Sequence, residues 1–74
     1  MAQILEITKE GTLKTQIKYK ANLSFTQLND YLQFMLINNL ITRKTRKGRK
    51  VYVITRKGSN FLQVHAYLLQ MLKT

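Results

Sequence analysis

The chain has 74 residues, no cysteine and a single histidine, and thirteen Lys and Arg against three acids give it a net charge of +10. That length holds one domain, residues 1–74, able to bury only about 60% of its unfolded surface. Disulfides and thiolate metal sites are excluded, and His65 with three acids is too poor a ligand set for zinc or iron. An apolar content of 45% is too high for disorder, and no apolar run approaches the ~18 residues of a membrane span. The start, MAQILEITKEG, lacks the basic n-region of a secretory leader, so the expectation is an intracellular, cytoplasmic protein. Its charge points to a polyanionic partner, nucleic acid ahead of anionic lipid. No cofactor or small-molecule ligand is indicated.

Residues 2–10 carry Ile4, Leu5 and Ile7 before Gly11, which predicts a short first helix with a glycine C-cap. Leu13, Ile17 and Ala21 form a narrow helical stripe over residues 12–21, with Thr12 as its cap. Asn22-Leu23 follows as a tight connection, Asn tolerating a left-handed conformation. Ser24 and Gln27 have capping-box spacing and open a third helix, Ser24 to Asn39. Phe25, Leu28, Tyr31, Leu32, Met35 and Leu36 fall on its inner arc; Thr26, Asn29, Asp30, Gln33 and Ile37 fall on the outer one. Asn39 suits the C′ position. Two short helices joined by such a turn form a helix-turn-helix.

Leu40 to Gly58 (LITRKTRKGRKVYVITRKG) holds eight of the thirteen cations and no acid. β-Branched residues on both sides of the charges and Gly48 between them predict a β-hairpin with a cationic tip. A solvated charged loop is the plainer reading of Arg43, Lys44, Arg46, Lys47, Arg49 and Lys50. Mutual repulsion among six such neighbours, however, is better explained by a polyanion. Thr55 then caps a last helix over about residues 56–73, where Gly58 costs about 1 kcal/mol relative to Ala. Phe61, Val64, His65, Leu68, Leu69, Met71 and Leu72 cover more of that helix than one small domain needs. A homodimer formed through it is the expected remedy, with His65 a packed or interface residue. The remaining aromatics are assigned to the core, Phe34 being the exception and Tyr19 divided between core and phosphate contact.

The order of elements makes the fold mainly α with a small β-hairpin (α+β): a winged helix-turn-helix, α-α-α-β-β-α. KTQIKYKANLS, the YLQFML helix and the Tyr-x-Ile-Thr-x-Lys-Gly-x-x-Phe-Leu run at residues 52–62 resemble the small archaeal winged-helix DNA-binding regulators. They are also similar to the related ten-kilodalton archaeal winged-helix chromatin proteins. The chain departs from the latter in a last helix too short for a long coiled coil, and its wing is more basic than a generic regulator requires. The resemblance implies double-stranded DNA binding, the Ser24–Asn39 helix as reader, Arg43–Lys50 as wing and dimers through the terminal helix. It places the protein at an archaeal nucleoid or, for a virus or plasmid, in the host cytoplasm.

In such domains the recognition helix enters the major groove and the wing follows the backbone or minor groove. Thr26, Asn29 and Gln33 have the chemistry for base edges, and Asp30 either accepts from cytosine or pairs with a nearby Lys. The wing cations would contact phosphate, Arg46 or Arg49 being the candidates for minor-groove entry. Lys14, Thr15, Lys18, Lys20 and Ser24 would extend the track, and Arg56 and Lys57 would reach phosphate from the last helix's first turn. The helix carries no cation between Lys20 and Arg43, which favours sequence reading over indiscriminate coating. The expectation is a sequence-specific transcriptional regulator; the rivals are an architectural DNA-coating protein and a protein- or RNA-binding winged helix. An enzyme is excluded by the lack of a nucleophile–base pair, paired carboxylates or a phosphate-cradling loop.

Overall fold

A computed structural model describes residues 2–73, so the two ends of the domain expected over 1–74 lie outside the described residues. Six elements follow in order: α1 (Ala2–Ile7), α2 (Lys14–Ala21), α3 (Phe25–Ile37), β1 (Ile41–Arg46), β2 (Arg49–Ile54) and α4 (Arg56–Lys73). This is the expected α-α-α-β-β-α order. No helix among the described residues is long and apolar enough to cross a membrane.

The first helix is shorter than the spacing predicts. It ends before Thr8, whose side chain is fully buried and whose hydroxyl donates to the Leu5 carbonyl at 2.9 Å. The chain then turns through Gly11 at φ +87°. Thr12 does not cap α2. Its amide and carbonyl each pair with Tyr52 at 2.9 Å, and its hydroxyl donates to the Ile7 carbonyl at 2.7 Å. Leu13 takes the cap position instead, its amide donating to Gln16 Oε1 at 3.3 Å. The reason is physical: Thr12 is buried, its backbone groups are both paired with Tyr52, and its hydroxyl is spent on the Ile7 carbonyl rather than on a helix amide.

α3 begins and ends as its sequence requires. Ser24 Oγ accepts from the Gln27 amide at 3.2 Å while Gln27 Oε1 accepts from the Ser24 amide at 3.1 Å. At the other end Asn39 adopts φ +60°, and the Leu40 amide donates back to Met35 at 2.8 Å, a Schellman closure. The core gathers Ile4, Leu5, Ile17, Leu28, Leu32, Met35, Leu40, Ile41 and Tyr52. Phe25 and Tyr31 were expected among them and are half exposed instead; Tyr52 is the aromatic that enters the buried cluster. Leu28, Leu32 and Met35 fill the inward side of α3, with Leu36 partly buried beside them.

β1 and β2 pair antiparallel from Ile41↔Ile54 to Arg46↔Arg49. Lys47 at φ +51° and Gly48 at φ +75° close them in a two-residue turn of the type I′ class, whose twist suits a hairpin. Thr55 then caps α4, its Oγ1 accepting from the Gly58 amide at 3.1 Å and donating to the Asn39 and Leu40 carbonyls at 2.5 and 3.0 Å. One side chain thereby joins the end of α3, the foot of the hairpin and the start of α4.

Candidate nucleic-acid interface

Projected at about 100° per residue, Leu28, Leu32 and Met35 mark the direction from α3 into the core. Thr26, Asp30, Gln33, Phe34 and Ile37 lie within about 60° of the opposite direction, and Asn29 lies about 90° from it, on the flank. All six are exposed, Ile37 at 70% and Phe34 at 48%. The outward surface of α3 is thus polar over its first half and apolar towards its end. Ile37 stood on the outer arc and Phe34 outside the core in the sequence, but neither carried a role there. Measuring the arc from the buried positions would have brought both forward. Asp30 does not find the Lys partner considered for it: among the described residues the one salt bridge joins Glu6 and Lys9.

The hairpin carries its cations on two faces, because side chains alternate along a strand. Cross-strand pairing puts Lys44, Arg46 and Arg49 on one face and Arg43 and Lys50 on the other, with Lys47 at the tip. All six are exposed. Arg46 is tied to another part of the fold. Its Nη1 donates to the Glu10 carbonyl at 3.2 Å, across the gap to the α1–α2 loop. Of the two arginines expected to enter a minor groove, Arg49 is the one without such a tie to the loop.

Around the helix-turn-helix, Thr15 and Lys20 are exposed and Lys14 and Lys18 half-buried. Lys18 Nζ lies 4.7 Å from the centroid of Tyr19 and 5.0 Å from that of Phe25. That places a cation between two exposed aromatic rings beside the start of α3. Tyr19, at 76% exposure, is a surface residue rather than a core one. Ser24 is committed to the α3 cap, and Arg56 and Lys57 are exposed in the first turn of α4. Two of the three acids, Glu6 and Glu10, line a hollow of about 390 Å³ with Lys9, Gly11, Gln16 and Lys20; the third, Asp30, stands on the outward face of α3. Among the described residues no group of His, Asp and Glu could hold a metal ion.

α4 packs on α1 and β2 only near its start. Residues 66–73 are all exposed, and the helix shows solvent Phe61, Val64, Leu68, Leu69, Met71 and Leu72, the last at 83%. His65 is half-buried and stacks on Phe61, the ring centroids 6.4 Å apart and the planes 16° from parallel.

The family profile described as winged helix-turn-helix matches residues 1–73. An uncharacterised protein of Methanocaldococcus jannaschii is 37% identical in a 57-residue alignment covering 68% of this chain. The alignment takes in 59% of that curated relative, so the chain spans about three fifths of its length. Among solved structures, Sso10a-2, a DNA-binding protein from Sulfolobus solfataricus, superimposes with a TM-score of 0.83 at 22% identity. The match covers 97% of this chain and 76% of that one, and at this identity it speaks for the fold.

Proposed function

Because the chain belongs to the winged helix-turn-helix family, we propose that it is a homodimeric, sequence-specific binder of double-stranded DNA that regulates transcription. DNA binding is the property named for its structural neighbour Sso10a-2. The observation that carries the specific reading is the contrast between two adjacent surfaces. α3 presents an outward face with no cation, and the hairpin beside it presents six. A protein that only coats DNA gains from cations on both.

In this reading Thr26, Gln33 and Asp30 face the base edges, with Asn29 reaching them from the flank. Phe34 and Ile37 meet thymine methyls, the apolar projections on the major-groove floor. Arg43, Lys44, Lys47, Arg49 and Lys50, with Lys14, Thr15, Lys18, Lys20, Arg56 and Lys57, hold phosphates. The α4 surface from Phe61 to Leu72 is covered by a second copy, and residues 1–74 act as one domain at the nucleoid. Selection of bound sequences from random DNA, followed by footprinting, tests the proposal. A recovered palindromic or repeated site bound about 10³-fold tighter than random duplex supports it. A uniform footprint with no enriched sequence replaces it with an architectural role.

A further inference from the structure

We infer that Arg46 is a positioning residue for the wing: its guanidinium fixes the outer half of the hairpin against the α1–α2 loop and is not one of the phosphate contacts. This rests on the DNA-binding reading above for its consequence, and on geometry for its substance.

The hairpin is held well at its foot. Ile41, Val51 and Tyr52 are buried, and Tyr52 pairs with Thr12 through both backbone groups. Beyond Val51 it is an exposed two-stranded ribbon, an arrangement that is marginal in water by itself. Arg46 lies at the far end of that ribbon, beside the turn, and reaches back to the Glu10 carbonyl at 3.2 Å. The loop is shaped to admit it. A Cβ on Gly11 would lie 2.9 Å from Arg46 Nη1, 3.4 Å from its Cζ and 3.4 Å from Val53 Cγ2. Gly11 also has φ +87°, so the backbone calls for glycine there, and the missing Cβ leaves the guanidinium its place beside the loop. At the tip the opposite holds: a Cβ on Gly48 would meet nothing within 4 Å. The wing is therefore braced at Arg46 and open beyond it.

A brace and a phosphate contact leave different signatures in salt. Each phosphate contact contributes about 0.9 to the slope of log K against log salt, whereas orienting the wing in advance changes affinity at every salt concentration alike. The chain is short enough for chemical synthesis, which allows citrulline at a single position. That side chain keeps amide donors on the arginine frame and lacks the charge. The experiment measures binding to one selected 30-base-pair duplex across a salt series.

Arg46→citrulline is expected to keep the wild-type slope and an affinity within about twofold, and Arg49→citrulline to lower the slope by about one. Arg46→Ala is expected to weaken binding about fivefold with the slope lowered by less than half a unit, the equivalent of one ordinary hydrogen bond. In the free protein, Arg46→Ala should drop the backbone order parameters of Lys47 and Gly48 from about 0.85 towards 0.6. A slope lowered by about one in Arg46→citrulline, or tip order parameters unchanged in Arg46→Ala, overturns the inference. Loss of wild-type DNA binding would instead defeat the functional reading, and the order parameters would still decide the brace.

Discussion

The carbonyl oxygen of Leu40 lies 2.1 Å from the point where a side chain on Gly58 would begin. Ile54 Cγ1 and the Leu40 carbonyl carbon are 2.8 and 3.0 Å from the same point. Glycine in the first turn of α4 is therefore required for helix and hairpin foot to touch, and the helix-propensity penalty expected of it is outweighed. Gly58→Ala gains about 1 kcal/mol of propensity and meets a backbone atom that cannot rotate away. A net destabilisation of about 2 kcal/mol is expected, read as a lower urea midpoint at unchanged m-value. Equal or greater stability of the alanine variant would mean that α4 does not seat on Leu40.

Leu68 and Leu72 are one turn apart on the exposed part of α4. Leu68→Asp with Leu72→Asp should leave the fold intact, since neither side chain is buried, and should abolish the dimer. Covering these two leucines in both copies is worth about 6 kcal/mol, so dimer affinity should fall more than 10³-fold. Sedimentation at micromolar concentration checks this. A wild-type monomer, or a doubly substituted protein that still sediments as a dimer, refutes the α4 interface.

Gln33 and Asn29 are chemically alike but differently placed on α3. Gln33 points outward and Asn29 sits on the flank, so Gln33→Ala should relax base preference at one position by about 1–3 kcal/mol, and Asn29→Ala by less. Binding measured against single-base variants of a selected site makes the comparison. The reverse order would show that the helix enters the groove rolled towards Asn29.

Phe34 and Ile37 can be tested from the DNA side. Replacing thymine by deoxyuracil removes one methyl group per base and leaves pairing intact. For wild-type protein each contacted methyl should be worth about 0.8 kcal/mol, or about fourfold in affinity. Phe34→Ala should bind the two duplexes with a smaller difference, which gives a coupling energy between side chain and methyl. No difference between the duplexes for the wild type would remove Phe34 and Ile37 from the base-reading surface.

The elements that the sequence made legible are those built from local signals. Ser24 with Gln27, Asn39 at the end of α3, and Lys47-Gly48 between two β-branched runs each place a boundary through chemistry within a few residues. Thr12 has the chemistry of a cap, but its partner, Tyr52, lies beyond the whole helix-turn-helix, and no periodicity reports such pairing. Phe25 and Tyr31 fell on the apolar arc yet stand half in solvent. An arc gives direction, and only the finished core shows how many side chains it has room for. Arg46 was indistinguishable from Arg49 by composition or spacing. Its difference arises from a carbonyl in a loop 36 residues away along the chain.

The pairing of Thr12 with Tyr52 bears on whether this helix-turn-helix is a portable module. Without β2, the amide and carbonyl of Thr12 would lose both bonds, at about 1–3 kcal/mol for each group left buried and unpaired. Tyr52 would leave the core at the same time, and Ile41 too where the chain stops short of β1. A fragment ending at Asn39 should therefore be unstructured, and the wing cannot be grafted, shortened from its base or exchanged as an accessory. The hairpin proposed to hold DNA is also part of the wall against which α3 is packed.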